Sequence, residues 1–198
     1  MRLIARKIRT SILTGCSLDL PGGQISVIRG PSGAGKSLLL RAIADLDPHE
    51  GELWFDGAPL TGMSGPEWRK HVRYVPSEAA WWDDRVGQHF CSVDEARSMT
   101  PQLGLPESCM GWQVSRLSTG EKQRLGFLRA IEDSPAVLLL DEPTAALDVD
   151  SERNVEALIC RLRDDGATIL LVTHSDAQAD RLADRRYIME SGRLKEAG

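Results

Sequence analysis

The chain has 198 residues, 41% hydrophobic and 27% charged, with a formal net charge of −5. Those proportions exclude disordered, collagen-like and coiled-coil classes, and the length suits one domain, 1–198, with room for a small insert. The mildly acidic balance argues against direct nucleic-acid binding.

Taken in chain order, residues 3–8 and 16–20 read as short strands, and Pro21-Gly22-Gly23 as the turn after them. Residues 24–29 carry Ile25, Val27 and Ile28, a β-branched run expected to form a buried strand that enters a glycine-rich turn. Apolar residues at 38, 39, 40, 42, 43 and 46 then predict a well-buried helix over 37–46. Leu53-Trp54-Phe55 followed by Asp56-Gly57 predicts a strand ending in a tight hairpin turn. From about 85 to 132 the pattern is helical, with loops marked by Pro101, Gly104 and Pro106, and it reads as an inserted subdomain. Residues 136–140 are almost purely apolar, as a central parallel strand requires. Val155, Leu158, Ile159 and Leu162 fall at helical spacing, Gly166 is placed to end that helix, and 168–173 is another buried strand. Strands alternating with helices predict an α/β fold with a mainly parallel sheet.

Cys16, Cys91, Cys109 and Cys160 are scattered, with no C-x-x-C pair, and read as reduced thiols. Charges interrupt the first seven residues before an apolar stretch of signal-peptide length develops. The most apolar runs, 136–140 and 169–172, fall far short of the ~20 residues that span a bilayer. The expectation is a soluble chain that reaches a membrane only through another chain. No appended regulatory domain is expected after residue 198.

Gly30, Pro31, Ser32, Gly33, Ala34, Gly35, Lys36 and Ser37 fit G-x-x-x-x-G-K-[ST] at every fixed position. A triphosphate needs several backbone N–H groups pointing into one concavity, so the side chains there must be small. Lys36 is expected to reach the β- and γ-phosphates of that triphosphate, and the Ser37 hydroxyl to ligate Mg²⁺. The helix beginning there, with Leu38 in its first turn, points its positive end at the phosphates. Downstream, the apolar run ends in Asp141-Glu142-Pro143. A buried strand delivering a carboxylate at its C-terminal end puts Asp141 where Mg²⁺ is held, and Glu142 where it can polarise an attacking water. An acidic pair at a strand end is common by itself. With a phosphate cradle upstream, the functional reading is the stronger one.

Leu117-Ser118-Thr119-Gly120-Glu121, followed by Lys122-Gln123-Arg124, reads as a helix start. Ser118 is the N-cap and Glu121 its capping-box partner. At this point the sequence resembles the ATP-binding-cassette (ABC) ATPase family, whose signature is L-S-G-G-Q. Ala146-Leu147-Asp148 is similar to the family's D-loop, His174 to its switch histidine, and Arg73-Tyr74-Val75-Pro76 to the stretch leading into its Q-loop. The resemblance runs from about Leu3 to Lys195. It implies a P-loop NTPase of the ABC type: α/β, with a mainly parallel central sheet, an N-terminal antiparallel β portion and a small helical subdomain at 85–132.

The resemblance also implies ATP and Mg²⁺ as cofactors, and two copies closing head to tail over two ATP molecules. Each site then joins residues 30–37, Asp141, Glu142 and His174 of one chain to Ser118, Thr119 and Gly120 of the other, with Leu38, Glu121 and Asp148 also among the expected nucleotide-binding residues. A separate transmembrane subunit would use the energy, and this chain would be cytoplasmic, peripheral on the cytoplasmic face of a membrane when assembled with it. A soluble ABC ATPase outside transport, or a nucleotide-gated module with weak hydrolysis, stays open as an alternative. Three departures stand out. Ser77 occupies the family's Gln position, with Glu78 beside it; no Phe, Trp or Tyr precedes Trp54 to stack on adenine; and the Lys36-to-Leu117 stretch is short for a transporter cassette. Trp81-Trp82 reads equally well as a partner surface or as packing inside the helical subdomain.

Overall fold

The computed structural model describes residues 1–197. The chain divides into two compact units: Met1–Tyr74, Pro135–Glu142 and the chain from Leu162 on form the first, and Val75–Ser134 with Pro143–Arg161 the second.

The first unit holds two sheets. β1 (Arg2–Arg9), β2 (Thr14–Pro21), β4 (Glu50–Phe55) and β5 (Ala58–Pro59) form an antiparallel sheet in the order β2-β1-β4-β5. β1 buries Leu3, Ala5 and Ile8 on one face and leaves Arg2, Arg6 and Arg9 outside. The hairpin between β4 and β5 turns through Asp56 (φ 46°) and Gly57 (φ 81°). Both central residues therefore take the positive φ that a type I′ turn demands.

The second sheet runs β10-β9-β3-β8-β7-β6, from β3 (Gln24–Arg29), β6 (Val72–Val75), β7 (Val137–Asp141), β8 (Thr168–Val172), β9 (Arg185–Glu190) and β10 (Arg193–Ala197). β9, β3, β8 and β7 pair in parallel, and β10 returns antiparallel on β9. Every residue of β7 and β8 is buried, the signature of strands covered on both faces. The α/β class, the parallel centre and the antiparallel N-terminal portion are therefore as the sequence reading has them.

α1 (Lys36–Ile43) lays Leu39, Leu40, Ala42 and Ile43 into the core with Ile28, Val137, Leu139, Leu170 and Val172. Burying a side chain of this size contributes roughly 1.5–3 kcal/mol. The helix is shorter than the expected 37–46, because Asp45 turns left-handed at φ 54°. α2 (Gly65–His71) has no counterpart in the sequence reading. A Ser64–Glu67 capping box starts it, and it delivers Trp68, fully buried, whose Nε1 donates to the Ile43 carbonyl at 2.9 Å.

The second unit contains α3 (Val93–Met99), α4 (Thr119–Ile131) and most of α5 (Val149–Asp164). Within the expected helical 85–132 only α3 and α4 are α-helices, and the helix breaks where the sequence reading has loops, at Pro101, Gly104 and Pro106. Between α3 and α4 the chain makes short 3₁₀ turns at Thr100–Leu103, Glu107–Gly111 and Val114–Arg116, with another at Val86–His89. Pro101 and Pro106 lack the N–H a longer helix needs, and Gly104 leaves the helical region at φ 67°. α6 (Asp176–Leu182) belongs to the first unit, to which the chain returns at Leu162. Among the described residues no helix is long and apolar enough to cross a membrane. Among the described residues no disulfide forms, and burial raises the thiols of Cys16 and Cys109.

Candidate functional site

β3 leads directly into the glycine-rich turn. A Cβ on Gly30 (φ 150°) would overlap the Met189 carbonyl oxygen, so that position admits only glycine. Gly33 (φ 77°) and Gly35 (φ 103°) also take left-handed backbone. Gly35 is the N-cap of α1, offers no side-chain cap, and no acid stands in the first turn. The first amides of α1 are left for an external acceptor. Lys36 is only 6% exposed and folds over the loop, its Nζ donating to the Gly30 and Pro31 carbonyls at 2.9 Å each. An ammonium has three donors, so one stays uncommitted. Pro31, Ser32 and Ser37 are exposed, and Leu38 packs against the core.

The turn between β9 and β10 braces this loop. Gly192 N donates to the Ala34 carbonyl at 3.0 Å, while the Gly192 carbonyl accepts from Thr14 N at 3.0 Å. No sequence motif marks Gly192 or Met189 as part of the site. Ile12, 49% exposed, lies beside Gly35 in the same corner.

β7 carries Asp141 to its end, where it is 4% exposed. Asp141 Oδ2 accepts from the Tyr74 hydroxyl at 2.9 Å. Burial, and then the facing carboxylate, push the Tyr74 phenol well above its ordinary value, so it stays a neutral donor. Glu142 follows in left-handed backbone at φ 51°, its N–H donating to the Val172 carbonyl at 3.1 Å. Because β7 and β8 are paired with Asp141 opposite Val172, the exit of β8 brings His174 alongside. His174 Nε2 lies 2.9 Å from Glu142 Oε1. The carboxylate and the imidazole that sequence reasoning singled out thus meet directly.

For Mg²⁺ the donor chemistry fits: Asp141 and Ser37 carry the hard oxygen donors that ion takes, and among the described residues no cluster of three His, Cys, Asp or Glu competes as an all-protein metal cage. Mg²⁺ is commonly held by one or two protein oxygens together with substrate phosphates and water.

In the second unit, Ser118 caps α4 as expected. Its Oγ accepts from Glu121 N at 3.2 Å, and Glu121 Oε2 accepts from Ser118 N at 2.8 Å. A Cβ on Gly120 would crowd the Ala146 carbonyl at 3.2 Å. Asp148 acts as a cap for α5: its two carboxylate oxygens accept from Ser151 N and Oγ, each at 2.9 Å. Those bonds hold its carboxyl below the ordinary carboxylate range. Gln123 is an unanticipated bridge, its Nε2 donating to the Ser77 carbonyl at 3.4 Å and its Oε1 accepting from Ala146 N at 3.2 Å. The side chains of Ser77 and Glu78 are exposed. Trp81 packs against His89 and Arg129, whereas Trp82, flanked by the same two residues, remains 67% exposed.

A family model described as ABC transporter matches residues 13–145, which takes in the phosphate loop, Ser118 to Glu121, Asp141 and Glu142. The chain belongs to the ABC transporter family. Its place there is that of a nucleotide-binding subunit. It is 40% identical over 190 residues to the aliphatic sulfonates import ATP-binding protein SsuB 2 of Agrobacterium fabrum, covering 93% of this chain and 73% of that protein. It is 35% identical over 204 residues to the methionine import ATP-binding protein MetN of Thermobifida fusca, covering 94% of this chain and 63% of that one. The chain thus spans 63 to 73% of the length of these two relatives. In fold it matches a solved ATP binding subunit of an ABC transporter with a TM-score of 0.86 at 24% identity, over 100% of this chain and 90% of that chain.

Against the ABC pattern, what sequence reasoning missed are contacts rather than motifs. Tyr74, Gln123 and Gly192 each act through a partner that is 23 to 158 positions away in the chain.

Proposed function

We propose that this ABC chain binds Mg-ATP through residues 30–38 and Asp141, hydrolyses it, and so energises transport through a separate membrane-spanning partner. The observation that carries the reading is the Glu142–His174 contact at 2.9 Å, at the end of the buried strand that presents Asp141. When bound, Mg²⁺ supplies positive charge that the phosphate oxygens need as negative charge develops on them. The chain's own residues do the rest by position and electrostatics. Lys36 turns its free donor to the phosphates, and the uncapped amides of α1 receive their oxygens. Glu142 orients water for attack on the γ-phosphorus and accepts its proton as the bond to the leaving ADP oxygen breaks. His174 fixes the Glu142 carboxylate and offers the phosphate a hydrogen bond.

In this reading both units serve one nucleotide-binding domain, and two copies close head to tail. Ser118, Thr119, Gly120, Glu121 and Asp148 of one copy then face the ATP held by the other; Ser118, Thr119 and Asp148 are exposed. The assembly works as a peripheral complex on the cytoplasmic face of a membrane, with the exposed Trp82 indole as a contact for the transmembrane partner.

The test is Glu142→Gln. Phosphate release is expected to fall by at least about a hundredfold while ATP binding is retained, and size-exclusion in Mg-ATP is expected to show a dimer. Turnover within a few-fold of the parent removes Glu142 from the reaction. A monomer at saturating Mg-ATP removes the two-chain site.

A further inference from the structure

Asp141 is a buried carboxylate, and the one side-chain donor it has among the described residues is the Tyr74 hydroxyl, at 2.9 Å on Oδ2. Tyr74 stands on β6, the strand next to β7 in the sheet, so the donor is held by the fold rather than by a mobile loop. A carboxylate accepts at both oxygens. With Oδ2 taken by a donor that cannot itself bind a cation while it is protonated, Oδ1 is the oxygen left for a metal or a metal-bound water.

The surroundings keep the hydroxyl in that role. Tyr74 is partly buried and packs against the hydrophobic core, which holds its ring in place. On α1, Arg41 spends its guanidinium on Asp47, at 2.7 and 2.6 Å. A phenylalanine at position 74 would fill the same space. The hydroxyl is what the packing alone does not require.

We propose that Tyr74 is a positioning residue for the metal site: its hydrogen bond fixes one rotamer of the Asp141 carboxylate and reserves the second oxygen for Mg²⁺. This rests on the reading that Asp141 serves Mg²⁺. Outer partners of metal-binding groups characteristically tune affinity by 10–100-fold when removed.

Tyr74→Phe removes the hydroxyl and keeps the ring. A fluorescent ATP analogue is titrated in EDTA and then across a Mg²⁺ series, for the parent, Tyr74→Phe, Asp141→Asn and the double variant, with Mn²⁺ binding followed by electron paramagnetic resonance. The expected result is unchanged affinity in EDTA, about tenfold more Mg²⁺ or Mn²⁺ needed for half-saturation in Tyr74→Phe, and no further loss when Asp141→Asn is added to it beyond that of Asp141→Asn alone. An unchanged metal titration in Tyr74→Phe, with Asp141→Asn still impaired, overturns the proposal and leaves the Asp141 assignment standing. An Asp141→Asn protein with normal metal dependence overturns both. Equal losses in EDTA and in Mg²⁺, or a large drop in melting temperature, mark Tyr74 as packing only and also overturn it.

Discussion

Lys36 and Ser118 each stand at the start of a helix, and the two starts are finished in opposite ways. α1 begins from Gly35 with no side-chain cap and no acid in its first turn. α4 begins from Ser118 with a full capping box and Glu121 in its first turn. The first leaves its donors open and its field positive, a site that an anion completes. The second has satisfied its own donors and placed a carboxylate among them, so it is stable without a ligand. The supports differ as well. The loop before α1 is tied to the turn between β9 and β10 through Gly192, whereas Ser118 is exposed. A helix N-terminus is therefore not one kind of site, and the cap decides which kind it is.

The comparison breaks most sharply at Gly192. A Cβ there would overlap the Ile12 carbonyl, in backbone at φ 74°. Gly192→Ala is expected to cost about 2–4 kcal/mol, from overpacking together with left-handed strain, and to weaken ATP binding more than tenfold although residue 192 belongs to no nucleotide motif. Urea unfolding and an ATP titration check both; intact binding would mean the hairpin brace is incidental.

A smaller effect is expected at the other helix. Ser118→Ala removes the α4 cap at a cost of about 1 kcal/mol, with ATP binding to a single chain unchanged because the phosphate loop does not depend on that cap. Thermal unfolding alongside nucleotide titration separates the two, and a fall in single-chain affinity would show that the helix starts are not independent.

The smallest effect concerns Asp47, whose carboxyl the Arg41 guanidinium holds below the ordinary carboxylate range. The folded value lies below the unfolded one, so the stabilisation is present above the unfolded value near ~4 and is lost as pH falls through the folded value. Asp47→Asn is expected to cost under about 1 kcal/mol at neutral pH, and the difference should vanish in strong acid. Melting curves across pH check the sign; a gap that widened in acid would contradict it.

Sequence reasoning reached the parts whose physics is local. The phosphate loop was legible because its glycines and Lys36 sit within eight residues, and the Ser118–Glu121 box because its two members are one turn apart. β7 and β8 were legible because parallel strands buried on both faces are uniformly apolar. Between α3 and α4 the loop signals at Pro101, Gly104 and Pro106 were legible, but the short 3₁₀ turns around them were not told apart from α-helix. The Tyr74–Asp141 and Gly192–Ala34 bonds had no local signal. Each joins residues that meet only after the sheet has set the register of its strands.

Glu142 holds left-handed backbone at φ 51°. For a residue with a Cβ that geometry costs roughly 1–2 kcal/mol, a penalty glycine would not incur. Selection on thermal resistance alone would thus favour replacing the carboxylate, and a stabilised descendant of this chain chosen without regard to turnover is apt to lose it. Since a whole domain rests on a margin of only about 5–15 kcal/mol, the proposed role of Glu142 makes its backbone a trade in which durability yields to chemistry.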